Sequence, residues 1–155
     1  MIARVTEADL PELLPLMRGY CDFYEVQPAD EQLIGLARSL LAWPECNGVQ
    51  LIARDGGGRA VGFATVYWTW STLQASEIGV MNDLFVVEDA RGGGTAEALI
   101  SECLGLCRER GAVELQWRTA TNNLRAQAVY DRVGGRRSEW LDYSLPVPER
   151  QERST

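Results

Sequence analysis

Two short stretches of this chain carry residue types and spacings that could do chemistry. The first is Val86-Val87-Glu88-Asp89-Ala90-Arg91-Gly92-Gly93-Gly94-Thr95-Ala96. An apolar, β-prone run breaks at an acidic turn, passes through a basic glycine-rich loop and enters a helical pattern. That order suits a phosphate group. Glycines let the backbone approach an anion closely, the first helical N–H groups lack internal partners, and the helix dipole adds about half a positive charge. A plain strand-to-helix turn explains the glycines equally well. Gly94 is not followed by Lys-Ser or Lys-Thr, so the loop is not a P-loop, and it is not a GxGxxG fingerprint. The second stretch is Asn123 to Gly135, where Asn123, Ala126 and Tyr130 recur at helical spacing and can share one face. Asn can bond an amide-containing chain, Ala leaves room for it, and the Tyr phenol can donate a proton. Read alone, Tyr130 fits a core aromatic with a satisfied hydroxyl as readily.

The elements that must hold these residues follow from hydrophobic period and turn chemistry. Residues 2–5 read as a short strand. Thr6 with Asp9 forms a capping-box-like start, and Leu10, Leu13, Leu14, Met17 and Tyr20 give a helix that Pro15 threatens to kink or split. A second helix follows Pro28 and ends at Trp43-Pro44. Strands are expected at 49–54, 59–70 and 77–87, the first two joined by an Asp-Gly-Gly-Gly turn. A helix runs from the glycine loop to about residue 109, with Gly111 as its C-terminal cap. A strand at 113–118, a helix at 122–133 and a last strand at 137–145 complete the order. Residues 1–145 form one domain and 146–155 a polar tail. The pattern is α+β and sandwich-like, and the early hairpin argues against a doubly wound sheet.

Composition narrows the chemistry. The 155 residues suit one domain with a sizeable core. A net charge of −7 argues against nucleic acid or an anionic membrane as partner. The chain has no histidine, so proton transfer falls to Glu, Asp, Tyr, Cys, a terminus or water. Its four cysteines form no CxxC pair, which argues against a metal site, and Cys103 and Cys107 read as buried thiols. The start lacks a signal-peptide pattern and no apolar run is long enough to span a bilayer, so a cytoplasmic location is expected.

With both motifs in view, the sequence resembles the GNAT superfamily of N-acetyltransferases from residue 2 to about residue 145. The loop matches [RQ]-x-x-G-x-[GA] at Arg91, Gly94 and Ala96. The later helix matches N-x-x-A-x-x-x-Y-x-x-x-G at Asn123, Ala126, Tyr130 and Gly134. Asp83-Leu84-Phe85-Val86 is similar to the strand that enters the loop, and within the superfamily it looks like the spermidine/spermine branch and its small-amine relatives. The resemblance implies the GNAT fold, with a mixed, mostly antiparallel sheet of about six to seven strands and about four helices. It implies acetyl-CoA as co-substrate. Backbone groups of Leu84, Phe85 and Val86 would pair with the pantetheine arm beside a bulge, and Arg91, Gly92, Gly93, Gly94, Thr95 and Ala96 would hold the pyrophosphate. Asn123 and Ala126 would border the arm, and Tyr130 would protonate the departing thiolate. The activity implied is direct acetyl transfer to a primary amine of a small molecule or peptide. The alternative is a GNAT-fold acyl-CoA-binding regulatory module with little turnover. A homodimer is a further implied partner state.

Several positions depart from the family pattern. Asn82 stands where the polyamine branch has a glutamate, which leaves Asp83, Glu77 or a water chain as base. Strand alternation should point Asp83 away from Asn82, so Asp83 is a structural candidate as well as a catalytic one. Gly135 replaces a phenylalanine, with an expected loss of packing, and Thr95 replaces an apolar residue. Acceptor-site candidates are Tyr20, Asp22, Phe23, Tyr24, Glu25, Trp68, Trp70 and Asn82, aromatics beside acids being suited to an amine. Surface charge and core packing account for the same residues equally well.

Overall fold

Leu10, Leu13, Met17 and Cys21 recur every three or four residues and are buried, which makes one stripe of helix α1 (Leu10–Phe23) apolar. Thr6 prepares its start. Its backbone N–H and hydroxyl both donate to Asp9 Oδ2, at 2.8 and 2.7 Å, across a 3-10 turn at Glu7–Asp9. Pro15 neither splits nor stops α1, since its missing N–H would have served just the carbonyl of Pro11 in the opening turns. The structure is a computed structural model that describes residues 1–147.

After strand β1 (Ile2–Arg4) and α1 come α2 (Asp30–Ala42), β2 (Gly48–Arg54), β3 (Ala60–Ser71), β4 (Ser76–Val86), α3 (Thr95–Arg110), β5 (Leu115–Gln116) and α4 (Leu124–Arg132). One sheet holds the strands in the order β1-β2-β3-β4-β5, antiparallel except for the parallel β4–β5 pair. Side chains alternate between its faces. Ile52 and Phe63 pack with the buried stripes of α1 and α2. Leu51, Ala64, Val66 and Met81 pack against Leu99, Ile100, Cys103 and Cys107 of α3. This is the expected α+β GNAT arrangement, with five strands rather than six to seven.

One irregularity sets up the site. Thr65 pairs with Asp83 and Val66 with Met81, so Asn82 is an extra residue bulged out of β4. Beyond the bulge β4 departs from β5, whose pairing is confined to Gly79–Leu115 and Val80–Gln116. The edge of β4 from the bulge to Val86 therefore faces no strand.

Two sequence expectations need correction. The strand expected at 113–118 shortens to Leu115–Gln116, because β4 swings away and removes its ladder. The strand expected at 137–145 is not formed. Its alternating residues Leu141, Tyr143 and Leu145 stand exposed without a pairing edge, and an ion pair of Asp142 with Arg118 at 2.8 Å tethers it. An unpaired strand leaves its backbone groups to water, and alternation alone supplies no partner. Most of the expected polar tail, residues 148–155, lies outside the described residues. Among the described residues no helix is long and apolar enough to cross a membrane.

Candidate active site

The glycine loop is built as an open cradle. Gly92 and Gly94 adopt φ of +82° and +83°, and a Cβ on either would meet nothing within 4 Å. Gly94 is the residue that caps α3, in place of any side chain. The first α3 amide with a backbone acceptor is Ala98, bonded to the Gly94 carbonyl at 2.9 Å. Before it, the Thr95 and Ala96 amides are the free donors that a helix start presents to an anion, while the Glu97 amide bonds its own carboxylate. Arg91 anchors the loop to the end of β4: its Nε donates to the Val86 carbonyl at 2.7 Å, and its guanidinium lies 5.9 Å from the Phe85 ring centre.

A cavity of about 330 Å³ opens from this cradle. Leu84, Phe85 and Val86 form one wall with their unpaired strand edge, and Arg91, Gly92, Gly94, Thr95 and Ala96 close one end. Asn123, Ala126 and Tyr130 form the opposite wall on α4. Gly93 is outside this lining. Asn123 does not ride on the helical face as its spacing suggests. It precedes α4 as the cap, and its Oδ1 accepts from the Ala126 N–H at 3.2 Å. The i, i+3 spacing of Asn and Ala is thus a capping geometry, and the capping Asn123 also lines the cavity.

Tyr130 is half-buried and packs edge-on to Trp117, with ring centres 5.4 Å apart. Burial pushes its phenol up from the ordinary value, the nearby Tyr24 phenol adds to that, and a hydrogen bond from Thr119 opposes it. The hydroxyl therefore stays protonated at neutral pH and remains a donor. Trp117 also explains Gly135. A Cβ there would sit 2.9 Å from the Tyr130 carbonyl oxygen and 3.0 Å from the Trp117 ring. The expected loss of packing is corrected accordingly, because the tryptophan fills the space. Gly135→Ala should overpack this corner and destabilise the fold by ~1–3 kcal/mol. A thermal melt that matches the parent would contradict that packing.

The acceptor candidates divide. Tyr20, Phe23 and Tyr24 line the cavity mouth, with Tyr24 in edge contact with both others at 5.0 Å. Asp83 lies behind them, 8% exposed. Burial pushes its carboxyl above the ordinary range, against hydrogen bonds from Thr65, Asn82 and Tyr20. Strand alternation was expected to separate Asn82 from Asp83. The bulge instead lets Asn82 Nδ2 donate to Asp83 Oδ1 at 2.9 Å. Glu25 lies in the turn after α1 with φ of +56°, outside the cavity lining. Trp68 is also elsewhere. It faces the α3 side, donates to the Pro44 carbonyl at 3.0 Å, and carries the Arg110 guanidinium 4.9 Å above its ring.

Sequence reasoning missed Glu97, Arg125 and Arg132, which also line the cavity. Arg132 Nη2 bonds Glu97 Oε1 at 2.6 Å and clasps the end of α4 to the start of α3. Arg125 and Arg132 are seven residues apart on α4 and share a face, but at one residue from Ala126 and two from Tyr130 no i, i+3 or i, i+4 spacing tied them to those residues.

Known proteins share this fold. Residues 13–135 match the Acetyltransferase (GNAT) family. An uncharacterized N-acetyltransferase of Bacillus subtilis (strain 168), YhfO, is 30% identical over 148 residues, which cover 95% of this chain and 97% of that one. The crystal structure of a probable acetyltransferase superposes with a TM-score of 0.83 at 29% identity, over 97% of this chain and 99% of the other. An aminoglycoside N-acetyltransferase solved in complex with CoA has the same fold, with a TM-score of 0.82 at 19% identity over 94% and 93% of the two chains.

Proposed function

The chain belongs to the acetyltransferase (GNAT) family of acyltransferases, and from that premise we propose that it binds acetyl-CoA between β4 and α4 and transfers the acetyl group directly to a primary amine of a small molecule or peptide. The observation that carries this reading is the meeting of three features in one cavity. These are an open cradle of free amides, an unpaired strand edge and a protonated tyrosine.

Each feature has a part in the reaction. The amides of the 92–96 loop and the Arg91 charge hold the pyrophosphate, the Arg91 amide itself being bonded to the Glu88 carbonyl. The free edge of β4 at Leu84, Phe85 and Val86 pairs with the amides of the pantetheine arm as an added strand, apart from the Val86 carbonyl, which already accepts from Arg91 Nε. Ala126 leaves room opposite, and the Asn123 NH2 is placed to bond the same arm. A neutral amine attacks the thioester carbonyl carbon. A backbone N–H near Leu84 or Phe85 stabilises the oxyanion. The carbon–sulfur bond then breaks, and the Tyr130 hydroxyl gives its proton to the departing thiolate. Asp83, whose carboxyl holds a proton more readily than usual, is the final acceptor of the proton that the amine loses. Holding both reactants in one slot supplies much of the rate.

Tyr130→Phe tests the assignment. It keeps the ring against Trp117 and removes the donor, so kcat for thiol release should fall about 100-fold with acetyl-CoA affinity unchanged. An unchanged kcat at neutral pH would mean that Tyr130 is not the acid. The regulatory-module reading prevails if no amine in a broad panel gives thiol release while CoA still raises the melting temperature.

A further inference from the structure

Behind the cavity a buried polar ladder crosses three strands. Gln50 of β2, Thr65 of β3 and Asp83 of β4 are direct register partners. All three are buried, at 3%, 0% and 8% exposure. They share the face that carries Ile52, Phe63 and Phe85 toward α1. Gln50 Nε2 donates to Thr65 Oγ1 at 3.1 Å, and the Thr65 hydroxyl bonds the Asp83 carboxyl. The donors therefore run outward and end on a carboxylate. At the outer end stands Tyr20. Tyr20 lines the cavity, its hydroxyl donates to the Asn82 carbonyl at 3.3 Å, and the Asp83 carboxyl lies close enough to push the phenol up.

Two facts argue that this ladder is not a device for stability. Gln50 Oε1 is buried with no partner among the described residues, a group that is unfavourable to leave unmade. Asp83 is a buried carboxyl with no cation among the groups that face it. Those groups are Tyr20 and Cys21 from α1, Thr65 and Tyr67 from β3, and its own neighbour Asn82. Apolar residues of the same shape would serve packing better. Asp83 itself is outside the cavity lining, whereas its neighbour Tyr20 is part of that lining.

We propose that Tyr20 is a catalytic residue that passes the acceptor's proton to Asp83, with Thr65 and Gln50 as positioning residues that hold the carboxylate toward it. This rests on Asp83 being the final proton acceptor. After nitrogen forms its bond to the acetyl carbon, it carries one proton too many. That proton moves to Tyr20 Oη while the hydroxyl turns from the Asn82 carbonyl and gives its own proton to an Asp83 carboxylate oxygen. Tyr20 ends neutral, Asp83 ends protonated, and no free phenolate is needed. Burial and the Asp83 charge both oppose such a phenolate, which favours transfer of the two protons together.

Thiol release with the best amine of a primary-amine panel, measured across pH, provides the test. Tyr20→Phe keeps the ring contacts with Tyr24 and Phe63 and should lower kcat/KM about 100-fold, with acetyl-CoA affinity unchanged by calorimetry. Thr65→Val removes a hydrogen bond to the ionised carboxyl, so the acid limb of kcat/KM should move to higher pH, and Thr65→Ser should restore it. The Asp83 resonance in a 13C carboxyl titration, assigned by its loss in Asp83→Asn, should move the same way whether or not turnover is detected. A Tyr20→Phe rate within about twofold of the parent, with Asp83→Asn inactive, overturns the Tyr20 step and leaves the Asp83 reading standing. Full activity in Asp83→Asn, or no turnover with any amine, overturns both. An unmoved Asp83 titration in Thr65→Val overturns the positioning role.

Discussion

Gly94→Val should weaken acetyl-CoA binding about 100-fold or more, equivalent to roughly 3 kcal/mol. Two effects combine. Gly94 holds φ of +83° at the entry to α3, a conformation that opposes any side chain by ~1–2 kcal/mol and a β-branched one most of all. The valine methyls would also occupy the open space above the cradle, where a pyrophosphate must approach the free amides. Relieving the strain would turn those amides away, so either response loses the anion. Gly58→Val is the matched control. Gly58 has φ of +85° with equally open surroundings, but it sits in the β2–β3 turn. That variant should lower the melting temperature and leave the calorimetric affinity for CoA intact. An unchanged affinity in Gly94→Val would remove the loop from the coenzyme site.

The loop was readable because everything it needs is local. An apolar strand, a turn, glycines and a helical period lie in one stretch of sequence, and the structure builds the cradle from those same residues. Ala126 and Tyr130 were readable for the same reason. Asn123 shows the limit of spacing, since three residues from Asn to Ala fit a shared face and a cap equally well, and the backbone decided for the cap. What depends on strand pairing was hidden. The Asn82 bulge decides which residues of β4 face α1 and which edge stays unpaired, yet it adds one residue that no alternation pattern marks. Trp68 read as an acceptor contact until register put it on the α3 face. The stretch 137–145 has the alternation of a strand, but alternation does not supply an edge to pair with. The Gln50–Thr65–Asp83 ladder joins residues far apart in sequence, and register alone aligns them.

Asp83→Asn should abolish most acetyl transfer and at the same time raise the melting temperature at neutral pH. The rate loss follows from removing the proton acceptor, an effect of about 100-fold or more. The stability gain follows from linkage. Burial holds the folded Asp83 carboxyl above its value in the unfolded chain, so between those two values the folded state binds more protons. Stability therefore falls as pH rises through that window. At neutral pH the parent keeps a desolvated negative charge with hydrogen bonds but no cation, whereas asparagine is of the same shape and uncharged. Below the unfolded carboxylate range the parent's Asp83 is protonated in both states, and the difference between the two proteins should vanish. Melting curves of both proteins from acid to neutral pH measure this directly. Equal melting temperatures at neutral pH, or a gap of the same size at acid pH, would show that Asp83 is not held at a charge penalty. A gap that opens with pH, paired with lost transfer, would mean that the fold maintains an unfavourable carboxylate at the position where the reaction needs one.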